Sequence, residues 1–134
     1  MERVLVAMDD SEEARMALEH AFERFPEATV HVVHVPETSN FTFDFDSTIT
    51  EEAQKRAETV LEEARTVANE YDRTIEAELV FGHAAEAVVS YADEHDIDQI
   101  ITGSRGAEGP KRLLLGSVAE TIVRRASCPV TVVR

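Results

Sequence analysis

Ile100-Ile101-Thr102-Gly103-Ser104-Arg105-Gly106, running on to Leu115-Gly116-Ser117-Val118-Ala119-Glu120, decides the reading of this chain. Ile97 to Thr102 is an apolar run short enough for a buried strand. It opens into a loop rich in glycine and basic residues, which closes on Gly116-Ser117 at the start of a helix-forming segment. Strand, glycine loop and helix start form an order suited to an anion. Gly103 and Gly106 lack a Cβ, so the backbone there is free to take positive φ and bring its N–H groups close to a phosphate. At Gly116-Ser117 the unpaired amides of the next helix point outward, backed by the helix dipole. Arg105, Lys111 and Arg112 lie between, opposed by Glu108 alone, in a protein of net charge −14. A second reading of the same residues stays open. Ser117 with Glu120 has the spacing of a capping box, and Gly109-Pro110 is a turn signal.

Working outward, Arg3 to Met8 is a nearly continuous apolar run, as expected of a strand buried on both faces of a parallel sheet. It ends at Asp9-Asp10-Ser11, where Ser11 is placed to cap a helix that Pro26 stops. Thr29 to Val35 reads as a second strand and Thr74 to Val80 as a third. The strand from Ile97 is the fourth and Val130 to Val133 the fifth. Helices are expected after Ser11, over Thr50 to Tyr71, from Gly82 through Tyr91, and from Ser117 to Ala126. Glu37 to Thr50, polar apart from Phe41, Phe43 and Phe45, has no helical period and reads as a long loop. Strands alternating with helices predict an α/β domain: one doubly wound parallel sheet with helices on both faces, filling residues 1–134.

The residues now carry a resemblance. Gly103, two residues, Gly106, nine residues, then Gly116-Ser117 resembles the nucleotide-binding signature of the universal stress protein family, in its ATP-binding branch. Val4 to Ser11 is similar to that family's first strand and its Asp-x-Ser turn. His31-Val32-Val33-His34-Val35 is similar to its second strand, and Cys128 to Val133 to its last. The resemblance implies a Rossmann-like sheet of order 3-2-1-4-5, whose topological switch lies between strands one and four, where ligands bind. It implies ATP as the ligand. Ala7 and Met8 would pack beside the base, and Val35 would offer backbone hydrogen bonds to the adenine edge. Gly103, Arg105, Gly106, Gly116, Ser117 and Val118 would surround the ribose and phosphates. Asp10 stands where the family commonly has glycine. The family also pairs its last strand with a symmetry mate, which implies a homodimer through Val130–Val133.

Asp9 has two readings, an acceptor for the ribose or adenine and a turn-forming Asx residue. The loop is not of the Walker type, because Gly106 and Lys111 have the wrong spacing and no Ser or Thr follows Lys111. Any Mg²⁺ would therefore be held mainly by the phosphates and water. His31 and His34, at odd separation on a strand, are expected on opposite faces of the sheet. His20 and His95 read as solvated helix residues, and no histidine has metal-ligand spacing.

Composition bounds the partners. Asp and Glu number 27 against 13 Lys and Arg, so nucleic acid and anionic lipid are disfavoured. Lys55 and Lys111 are the only lysines, and so acidic a surface suggests a halophilic adaptation, an idea that full stability at low ionic strength would undermine. Cys128 is the sole cysteine, which excludes an intrachain disulfide. No leader-like segment and no apolar run of about 20 residues occurs, so a cytoplasmic chain is expected.

Three functions compete at this point. The first is a stress-response regulatory module, switched in conformation by bound ATP and hydrolysing it slowly at most, since no nucleophile, base and orienting group can be assembled. The second is an enzyme cleaving at the α-phosphate, as in nucleotide-handling relatives of the fold, with Ser117 and Arg105 stabilising the chemistry. AMP and pyrophosphate in a single-turnover assay would favour it. The third, a phosphoacceptor receiver domain, is suggested by Asp9-Asp10 but lacks an Asp ending the third strand and a Lys after the fifth.

Overall fold

Complete burial of Val4, Leu5 and Val6 makes the first strand, β1 (Arg3–Ala7), an inner strand covered on both faces, and the strand order puts it at the centre of the sheet. The computed structural model describes residues 2–36, 50–104 and 115–134. In it β1 is flanked by β2 (Thr29–His34) and β4 (Gln99–Gly103), with β3 (Ile75–Leu79) and β5 (Val130–Val133) at the edges. All four pairings are parallel and the order is 3-2-1-4-5, as expected. The loop expected from Glu37, with Phe41, Phe43 and Phe45, lies outside the described residues but for Thr50.

Alternation along the strands divides the core in two. Val4, Val6, Val30, Val32 and Ile101 face α1 (Glu12–Arg24) and α2 (Glu51–Glu70). Leu5, Val33 and Ile100 face α3 (Ala84–Glu94) and α4 (Ser117–Arg125), where they meet Val88, Tyr91 and Ile122. Each long helix begins on a hydroxyl cap. Ser11 Oγ accepts from the Ala14 N–H at 3.1 Å and Thr50 Oγ1 from the Ala53 N–H at 3.1 Å, satisfying amides the helix leaves unpaired. Glu12-Glu13 and Glu51-Glu52 occupy the first turns, where the dipole favours negative charge.

The two β2 histidines do face opposite sides. His31 Nδ1 lies 2.8 Å from the Tyr91 hydroxyl on the α3 side, and His34 Nδ1 lies 2.9 Å from the Met8 carbonyl. His95 is not the solvated residue expected. It closes α3, donates from Nδ1 to the Tyr91 carbonyl at 2.9 Å and stacks on the Tyr91 ring with centroids 3.8 Å apart. A histidine at a helix C-terminus can satisfy a free carbonyl, and this one does so while covering an aromatic face. α3 also runs to Glu94, three residues past the expected end at Tyr91.

Burial holds the His31 pKa below its ordinary value of 6.5, helped by the His95 and Arg3 charges and opposed by Glu76 and Glu78. Burial together with the same two glutamates pushes the Tyr91 hydroxyl up to about 12. A histidine kept neutral in the fold binds its proton more readily in the unfolded chain, so the unfolded state gains protons first as pH drops. Stability from His31 is therefore complete above pH 6.5 and is lost as pH falls from there toward the depressed folded value. Urea midpoints from pH 7.5 to 5 are expected to fall more steeply for the wild type than for His31→Gln. Superimposable profiles would show that His31 contributes nothing to acid sensitivity.

Candidate functional site

The sheet opens where its order reverses. β1 pairs with β4 only as far as Val6↔Ile101, whereas β1 stays with β2 to Ala7↔Val33 and β4 stays with β5 to Gly103↔Val133. Beyond Val6 the carboxyl ends of β1 and β4 are unpaired with each other. Such a parting is where open α/β sheets take ligands. Around it stand Met8 to Ser11 after β1, Val35 after β2, Gly103-Ser104 ending β4, and Gly116 to Val118 opening α4.

Asp9 makes the Asx turn that was one of its two readings. Its Oδ1 accepts from the Ser11 N–H at 2.8 Å and from the Ser11 hydroxyl at 2.5 Å, and the Ser11 oxygen in turn caps α1. The carboxylate therefore fixes the turn that carries it, and Oδ2 has no partner among the described residues. Ala7 and Met8 point to opposite faces. Ala7 packs against the α3–α4 core, while the Met8 side chain, 3% exposed, is part of the α1–α2 core. Val35 is half-buried, and neither its N–H nor its C=O has a partner among the described residues.

Gly103 corrects the reading given to it. Its φ is not positive, and what its missing Cβ accommodates is the first turn of α1: an added Cβ would lie 2.9 Å from Glu13 Cβ, 3.0 Å from Glu13 C and 3.1 Å from Ala14 N. Glycine here permits the first turn of a helix to approach the strand closely. The described glycine with positive φ is Gly82, at +121°, entering α3. The capping box of Ser117 and Glu120 is also not formed. Gly116 is the N-cap, with no side-chain cap bond, so Ser117 is one position too late, and Glu120 pairs with Arg124 at 3.2 Å. The amides of Ser117, Val118 and Ala119 consequently have no side-chain cap. Val118 itself is 41% exposed.

Ser104, which sequence reasoning passed over, anchors this end of the site. Its N–H donates to the Val133 carbonyl at 2.8 Å, and its carbonyl accepts the Gly116 N–H at 2.6 Å. The helix start is thus tied to the strand end across the intervening loop. An isolated serine between two glycines offers no periodic signal, and the bonds that matter come from its backbone. Arg105 and Gly106, with Lys111 and Arg112, fall outside the described residues. What is described near the opening is acidic: Asp9, Asp10, Glu12 and Glu13.

Among the described residues no group of three or more His, Cys, Asp or Glu is placed to hold a metal, and no helix is long and apolar enough to cross a membrane.

Comparison with known proteins places this geometry. The model of the universal stress protein family matches residues 1–134. The chain is 31% identical to universal stress protein YxiE of Bacillus subtilis over 98% of each chain. Its structure superposes on universal stress protein UspA from Lactobacillus plantarum with a TM-score of 0.83 and 26% identity, covering 99% of this chain and 97% of that one. A universal stress protein solved in complex with cAMP is 26% identical, with a TM-score of 0.76 and the same coverage of 99% and 97%. The strand order, the opening between β1 and β4 and the match along the whole sequence make this chain a member of the universal stress protein family.

Proposed function

We propose that the opening between β1 and β4 binds an adenine nucleotide, ATP, and that the protein is a regulatory module whose conformation follows nucleotide state. The observation that carries this is the start of α4: a nine-residue helix with first-turn amides uncapped by side chains, held at the strand ends by the Gly116–Ser104 bond. Uncapped amides backed by a helix dipole suit a phosphate. A related fold holding cAMP supports the adenosine half of the reading. Arg105, Gly106, Lys111 and Arg112 supply the remaining amides and the positive charge, and Mg²⁺ rides on the phosphates. Asp9 Oδ2 and the Val35 peptide serve the nucleoside. ATP turnover is slow at most.

Mass spectrometry of the denatured, purified protein is expected to release an adenine nucleotide. Calorimetric titration with ATP and Mg²⁺ at high salt should saturate at one nucleotide per chain. Gly106→Val should lose co-purifying nucleotide without unfolding the sheet, and should melt cooperatively like wild type stripped of its nucleotide. A wild type giving no heat with ATP would reject the function.

The half-buried edge strand β5 serves a two-fold dimer through Val130–Val133 in the same proposal. Light scattering that gave a monomer at micromolar concentration would remove that part.

A further inference from the structure

The exit of β2 departs from a regular parallel ladder at one rung. The Met8 N–H donates to the Val33 carbonyl at 2.8 Å, which is the ladder bond expected after Ala7↔Val33. In a parallel pair the next bond would run from the Val35 N–H to the Met8 carbonyl. That carbonyl instead receives His34 Nδ1 at 2.9 Å. A carbonyl only accepts, so Nδ1 carries the proton and the tautomer is set. β2 has not turned away from the sheet here, because on its other side the Val80 N–H still reaches the His34 carbonyl at 3.0 Å. One rung has been replaced by a side chain that is itself 7% exposed.

The replacement has a chemical consequence. In extended chain a residue's N–H and C=O point to the same side, so a Val35 relieved of the Met8 carbonyl presents a donor and an acceptor together, beside Asp9. That pair complements an amino group next to a ring nitrogen acceptor, the pattern of adenine, and opposes the carbonyl next to a ring N–H of guanine. We propose that His34 is a positioning residue that holds the Met8 carbonyl in place of the Val35 amide and so frees the Val35 peptide to select adenine. The proposal rests on the nucleotide reading of the crevice and adds to it the residue that sets base specificity. His34 touches no ligand in this account; it acts through Met8 and Val35.

The test compares the full-length wild type with His34→Leu, which removes the donor, and His34→Asn, whose amide nitrogen can stand near the position of Nδ1. Calorimetry with ATP, GTP and inorganic tripolyphosphate gives the first readout. For His34→Leu, ATP affinity should fall about tenfold, the scale of one buried hydrogen bond, with GTP and tripolyphosphate unaffected. His34→Asn should stay within about threefold of the wild type for all three ligands. The second readout is hydrogen exchange on wild type and variants stripped of nucleotide. The Val35 amide should exchange hydrogen freely in the wild type and become protected in His34→Leu, where the Met8 carbonyl can recapture it. Equal losses for ATP and tripolyphosphate, or a Val35 amide as protected as that of Val33 in the wild type, would overturn the proposal. A wild type that bound no nucleotide would instead reject the reading of the crevice, and Val35 exchange would still decide the rung.

Discussion

Gly103→Val is expected to destabilise the protein by about 2–3 kcal/mol, the upper range for an overpacked core, and to lower the melting temperature by roughly 6–12 °C. Two of the three atoms nearest a Cβ at this position, Glu13 C at 3.0 Å and Ala14 N at 3.1 Å, are backbone. No rotamer moves them. Relief requires the first turn of α1 to lift from β4, and that turn is fixed at its start by the Ser11 cap on the Ala14 N–H and by Asp9 behind Ser11. Valine's preference for strands offsets about 1 kcal/mol at most. Gly103→Ala introduces the same first atom and should show most of the effect. Thermal and urea unfolding of both variants measure it. A Gly103→Val protein as stable as the wild type would mean that α1 slides over β4 without loss.

That glycine shows how far one sequence carries. The alternation of apolar strands and amphipathic helices was enough to predict the α/β class, because strands that take turns with helices stack as a parallel sheet covered on both faces, with unbroken apolar runs such as Val4 to Val6. The order of strands came from the resemblance, since periodicity says nothing about neighbours. At the site, residue type was a sound guide where the side chain does the bonding: Ser11 caps its helix, and Asp9 bends the turn. It failed where the backbone does the bonding. Ser104 holds α4 through its N–H and C=O, and Gly116 caps with no side chain at all, so the Ser117–Glu120 spacing pointed one residue too far along. His34 was legible as to face but not as to partner. A one-dimensional pattern cannot show that an imidazole has taken the place of an amide in a ladder.

Asp9 offers the sharpest separation of fold from function, because one carboxylate is assigned to both. Oδ1 is occupied by the Ser11 N–H and hydroxyl, at 2.8 Å and 2.5 Å. Asp9→Asn retains an acceptor oxygen there, so the turn and the α1 cap survive and stability should change by no more than about 0.5 kcal/mol. The other oxygen becomes an amide nitrogen. A ribose hydroxyl that donated to a carboxylate loses a charged acceptor, a bond worth about 1.5–3 kcal/mol, and ATP affinity should fall roughly ten- to hundredfold. Asp9→Ala removes both functions, so the same weakening should come with about 1–2 kcal/mol of lost stability as Ser11 is released. Urea midpoints and ATP titrations on the two variants give four measurements for two claims. If Asp9→Asn bound ATP as tightly as the wild type, Asp9 would be a turn residue alone and the ribose would need another partner. If it proved as unstable as Asp9→Ala, the turn would depend on the charge itself, and the neutral-acceptor account of the Asp9–Ser11 brace would be wrong.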